Sequence, residues 1–150
     1  MRKILIMVLA GFSGLAGLPT LAGAGLFSAT GAVIAVLADD VFTGEAEGHL
    51  SGAGTLAIRS QKHPEFSCVG QFTSSAALGG KGQLQCSDGS TATFQFQRLS
   101  VYRGHGTASF SRGAMSFAYG FTPEEAEPYL KLPEGKRLIQ NGTALALVDR

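Results

Sequence analysis

Three features of this 150-residue chain predict an all-β fold, an antiparallel meander forming a small barrel or sandwich with one short helix and one disulfide. Short runs alternating apolar with polar residues recur along it, separated by glycine and polar turn residues. Glycine pairs spaced G-x-G recur on those runs, and the two cysteines lie on neighbouring runs whose alternation matches. Composition narrows the class further. Hydrophobic residues make up 45% and charged residues 15%, against about 25% charged in an ordinary domain, which excludes a disordered chain. A formal charge of +1 does not suit a nucleic-acid binder. Three histidines and two cysteines are too few for a zinc cluster.

The elements follow in order. Arg2 and Lys3 precede residues 4–38, which carry no charge. A positive end followed by an apolar run is the pattern of an export segment. Residues 1–38 are therefore expected to be a signal peptide or N-terminal membrane anchor, and residues 39–150 an exported β-domain. Ala22-Gly23-Ala24 and Val36-Leu37-Ala38 both offer small residues for cleavage. The uncharged stretch exceeds the roughly 20 residues of one membrane span, but Gly11, Gly14, Gly17 and Pro19 interrupt it as a straight helix. The protein is thus expected to be periplasmic or extracellular, touching a membrane only through residues 4–38 if they are retained.

Residues 41–46 and 52–58 read as the first two strands of that domain. Residues 65–73 and 81–86 form a hairpin in which Cys68 opposes Cys86, Gly70 opposes Leu84 and Phe72 opposes Gly82. That register puts every apolar residue on one face, and an even cysteine count in an exported domain favours a disulfide. Ser87-Asp88-Gly89 is a turn. A two-residue loop would put Phe94 on the wrong face, whereas a three-residue loop with Gly89 left-handed pairs Leu84 with Ala92 and Gly82 with Phe94. The next hairpin is expected to turn at Arg112-Gly113, pairing Phe110 with Met115, Ala108 with Phe117 and Gly106 with Tyr119. Thr122-Pro123-Glu124-Glu125 is a capping box that opens a helix from Pro123 towards Leu130, with Pro128 limiting it to about one turn. A last hairpin is expected to turn at Asn141-Gly142. Seven to nine strands result.

The glycine pairs form a loose repeat: Gly52-x-Gly54, Gly80-x-Gly82 and Gly104-x-Gly106, each followed by Thr or Gln and then Leu or Ala. Glycine weakens a strand unless close packing or tight curvature needs the space. The pairs therefore argue for a curved meander in which aromatics from the neighbouring strand cover the glycines.

The set Gly52-x-Gly54, Cys68-x-Gly70-x-Phe72, Gly82-x-Leu84-x-Cys86-x-Asp88-Gly89, Phe94-x-Phe96 and Arg103-Gly-x-Gly106 resembles small exported bacterial β-domains over residues 41–120. The glycine spacing is also similar to that of MORN-type hairpin repeats, although their Y-x-G-x-W signature is missing. These resemblances imply a fold and carry no catalytic residues.

No constellation for chemistry emerges. His49, His63 and His105 lack partners at metal spacing, and Arg103-Gly104-His105-Gly106 with Ser109 and Ser111 lacks an orienting acid. Neither catalytic, cofactor nor metal residues are assigned. Glu124, Glu125 and Glu127 suit the start of a helix. One polar face stands out as a candidate partner surface: Gln83, Gln85, Thr91, Thr93, Gln95 and Gln97, extended by Gln71. The expected role is that of a non-enzymatic exported domain, structural or binding a protein or glycan partner through this face. The alternatives are an inhibitor of a protease or lysozyme, inserting loop 60–65 or 74–80 into a cleft, and an accessory subunit of a membrane complex.

Overall fold

Alternation at a period of two gives strands with one inward and one outward face, and here it closes a barrel. The computed structural model describes residues 28–75, 79–111 and 113–150. Eight antiparallel strands form the wall: β1 (Ser28–Leu37), β2 (Asp40–His49), β3 (Ala53–Ser60), β4 (Ser67–Ser75), β5 (Gly79–Cys86), β6 (Thr91–Arg98), β7 (Gly104–Phe110) and β8 (Gly113–Tyr119). Each pairs with its sequence neighbour, and β1 pairs with β8 to close the ring. A one-turn helix α1 (Pro123–Ala126), a 3-10 turn (Glu127–Tyr129) and a hairpin of β9 (Lys136–Asn141) and β10 (Ala144–Asp149) follow outside the barrel. The described residues of 39–150 thus hold nine strands, within the seven to nine expected of them, β1 adds a tenth, and of the two expected architectures the fold is the barrel.

The cysteine hairpin has the expected register, with Cys68 opposite Cys86, Gly70 opposite Leu84 and Phe72 opposite Gly82. The bridge is formed. The next loop also follows expectation: Cys86 N–H bonds the Ser90 carbonyl, Gly89 takes φ +84°, and Leu84 faces Ala92. Two other hairpins are shifted by two residues. Phe110 pairs with Gly113, Ala108 with Met115 and Gly106 with Phe117, so Gly113 begins the strand. Asn141 pairs with Ala144, which moves that turn to Gly142-Thr143. A shift of two leaves every side chain on its expected face.

The boundary expected at residue 38 falls inside the fold. Residues 28–37, expected to belong to the N-terminal segment, form β1, joined to β2 by a two-residue turn in which Ala38 takes φ +54°. Their continuous apolar character has a physical cause. Val33 and Ala35 point into the barrel, while Ile34 and Val36 point outward and are covered with Val41 and Ala118 by Ala126, Leu130, Leu138 and Leu145. A strand buried on both faces cannot alternate. The export reading of residues 1–27 lies outside the described residues. Among the described residues no helix is long and apolar enough to cross a membrane.

The capping box is present: Thr122 Oγ accepts from Glu125 N–H, and the Glu125 carboxylate accepts from Thr122 N–H. These bonds hold the Glu125 carboxyl below its ordinary pKa. The short helix is fastened to the barrel by a stack of side chains. The Arg103 guanidinium lies over Phe121, Phe121 stacks on Tyr129, and Tyr129 stacks on His105 of β7.

The glycine pairs behave as the sequence implies. A Cβ on Gly80 would lie 2.7 Å from the Phe96 ring and one on Gly82 2.5 Å from Phe94. Phe117 covers Gly106, Tyr119 covers Gly104 and Phe72 covers Gly54. Gly52 departs from the pattern; it lies in the β2–β3 turn at φ +88°. The covering rings meet edge to face inside the barrel, Phe72 with Phe96 and Phe94 with Phe117. Together they form an aromatic layer across its middle.

Candidate functional site

Eight strands enclose an interior just wide enough for side chains or for one small ligand. Which of these results depends on side-chain size at each level. Near the end where β1 begins and β2 finishes, the inward residues of those two strands are Ala29, Gly31, Ala46 and Gly48. A cavity of about 590 Å³ opens there, lined by these residues and floored by Phe72, Phe94, Phe96 and Phe117. Its volume falls within the usual range for small-molecule sites, roughly 300–1,000 Å³.

Glycines at this end differ from those deeper in the barrel. A Cβ on Gly48 would come no closer than 4.0 Å to any neighbour, and one on Gly31 no closer than 3.7 Å. No aromatic needs the space. Residues 28–32 also extend past the end of β8, since pairing of β1 with β8 spans only Val33–Leu37. The rim carries large exposed apolar side chains on two loops, Leu50 on one and Leu99, Val101 and Tyr102 on the other.

Two polar side chains of this cavity come from one row of the sheet. Arg98, Gly104 and Tyr119 are consecutive partners across β6, β7 and β8. Because Gly104 has no side chain, the Tyr119 ring lies across it towards Arg98. Arg98 Nη2 donates to Ser74 Oγ at 3.0 Å, and Ser74 Oγ donates to the Gly52 carbonyl at 3.2 Å. Arg98 Nε and the Tyr119 hydroxyl are both buried, and among the described residues neither has a hydrogen-bonding partner. Burial pushes the Tyr119 phenol above its ordinary pKa, and the nearby Arg98 guanidinium pulls the other way. Among the described residues no carboxylate lies within ion-pairing distance of Arg98. Sequence reasoning missed all three side chains. The available signal was parity: Phe94 and Phe96 point inward, so Arg98, next in that series, must also.

The six residues of the candidate partner surface, Gln83, Gln85, Thr91, Thr93, Gln95 and Gln97, are all exposed on the outer wall. Register links Thr55, Gln71, Gln83, Thr93 and Ser109 in one row across five strands. Gln83, Gln85, Thr93 and Gln95 share a shallow groove with Glu45, Glu47 and Lys81. Gln97 instead borders a neighbouring hollow with His105 and Tyr129. Ser109 also faces outward, and the His105 ring stacks on Tyr129. His49 lies near Glu47 at 4.0 Å and His63 near Glu65 at 3.7 Å, both exposed. Among the described residues no group of three His, Cys, Asp or Glu side chains is placed to hold a metal ion.

No family model, curated protein or solved structure matches this chain.

Proposed function

We propose that the protein is a non-enzymatic, exported binding barrel that takes a small, largely apolar ligand into its open end. The observation that carries this reading is the uncrowded inner wall of β1 and β2. Deeper in the barrel Gly54, Gly80, Gly82, Gly104 and Gly106 are covered by aromatic rings, and Gly44 and Gly70 lie against the backbone of the neighbouring strand. At Gly31 and Gly48 nothing fills the room, and the floor beneath is aromatic. Glycine in a strand costs stability, so unfilled glycines facing an apolar cavity are better explained by an occupant than by packing. The disulfide fits a non-reducing compartment, and Arg2, Lys3 and the apolar residues after them supply an export pattern.

An uncharged fluorescent probe, N-phenyl-1-naphthylamine, tests the reading. Saturable binding with a blue-shifted emission is expected, with loss of that binding in Gly48→Leu, whose side chain would occupy the cavity. Absence of saturable binding, or equal binding by the Gly48→Leu protein, overturns it.

The outer groove favours a second reading, a protein or glycan partner on the wall. Its amide and hydroxyl groups form a continuous row flanked by the exposed Val69, the chemistry of a surface that hydrogen-bonds along an extended partner. Replacing Gln83 and Thr93 together by lysine would abolish such binding and leave probe uptake intact.

A further inference from the structure

We infer that the open end recognises a single-chain amphiphile with a carboxylate head, the head seated on Arg98 and Tyr119 and the apolar body on the phenylalanine layer. This rests on the binding-barrel reading and specifies its ligand.

The argument begins with an imbalance. A guanidinium half-buried in an apolar enclosure is expensive unless an anion or a full set of acceptors meets it. Among the described residues Arg98 donates to Ser74 Oγ, while its Nε–H has no partner. The chain does supply acids near this end, Glu47 among them, but alternation sends that side chain to the outer face. The Tyr119 hydroxyl faces the Arg98 guanidinium in the same row, and among the described residues its own O–H finds no acceptor. Two unpaired donors, one charged and one neutral, match the two oxygens of a carboxylate, which accept charge-assisted bonds from such a pair. Ser74 fixes the guanidinium in position, so little ordering remains to be done on binding.

The surroundings define the rest of the ligand. Beneath the pair lie Phe72, Phe94 and Phe96, and beside it the wall of Gly48 and Ala46. A purely polar anion would leave that surface unmatched. A purely apolar molecule would leave Arg98 without a counter-charge. An amphiphile answers both.

The experiment measures displacement of N-phenyl-1-naphthylamine from the full-length protein by decanoate, decanol and decyl phosphate below their aggregation concentrations. Decanoate is expected to bind best. In Arg98→Met its affinity falls about tenfold or more, the scale of a lost hydrogen bond to a charged group. In Tyr119→Phe it falls about fivefold. Decanol affinity stays unchanged in both variants, which shows that the cavity remains intact. Equal binding of decanoate and decanol by the wild type, or retention of the preference in Arg98→Met, overturns the head-group assignment while the binding-barrel reading stands. Tighter binding of decyl phosphate overturns the choice of carboxylate. If the probe itself fails to bind, the underlying reading fails, and this inference with it.

Discussion

The two ends of the barrel share eight strands and are finished in opposite ways. At the end holding the cysteines, a covalent bridge joins β4 to β5, the Phe42 and Phe66 rings meet edge to face, and Met115 is fully buried. At the other end the inward positions of β1 and β2 are glycine and alanine. Each end also has an inward charged residue. Asp40 accepts from Ser60 Oγ at 2.5 Å, and Ser60 Oγ in turn accepts from His63 N–H. Among the described residues the Arg98 Nε–H has no partner. A wall with one repeating architecture can therefore be sealed or left open by side-chain volume and by whether a charge is matched locally. On the proposed reading, stability and binding belong to different ends.

The separation can be tested most severely at the aromatic layer between the ends. Phe94→Ala is expected to cost about 3–5 kcal/mol in chemical denaturation, the range for a large core truncation. It should also weaken probe binding, because Phe94 belongs to both the core and the cavity floor. Removing the bridge with Cys68→Ser and Cys86→Ser should cost about 3 kcal/mol by loop-closure arguments. Probe binding below the melting temperature should persist; its loss would show that the ends are coupled.

Glycine substitutions sharpen the contrast. Gly82→Ala must displace Phe94 or the Gln71 carbonyl and is expected to destabilise by about 1–3 kcal/mol. Gly48→Ala has room and should change stability by less than about 0.5 kcal/mol. At the sealed end, Ala38→Gly relieves a positive φ and should raise stability by up to about 1 kcal/mol. Thermal melts compare all three.

Alkaline titration has the smallest effect. The folded-state pKa of Tyr119 lies above the ordinary value of 10.0 because burial disfavours the phenolate. Its contribution to stability is therefore complete below that value and is lost as pH rises through the folded pKa. Melting temperatures from about pH 9 to 11 should fall less steeply in Tyr119→Phe than in the wild type.

Much of this wall was legible in the sequence because period-two alternation is a strict constraint. Cys68, Cys86, Leu84 and Phe72 admitted one register that kept apolar residues together, and that register is observed. Parity cannot separate registers that differ by two residues, so Gly113 and Gly142 were placed one position wrong within their hairpins. The leading strand was hidden for a different reason. Burial of Val33–Val36 on two faces gives the same apolar run that a membrane segment would. The cavity left the faintest trace, since it is made chiefly of missing side chains, and only the inward parity of Arg98 pointed to it.

Closure of the ring by β1 and β8 has a consequence for the order of folding. These strands are separated by most of the chain, so every intermediate hairpin can form before the seam does. Long-range pairing of this kind slows folding. Until Tyr119 has been made and moved into place, the sheet has two free edges capable of pairing with another chain. The last hairpin and α1 then settle over the seam, burying Ile34, Val36 and Ala118. A chain cut short before Phe121 would complete the circle but leave its seam bare, and self-association of such a truncated product is the outcome that this arrangement implies.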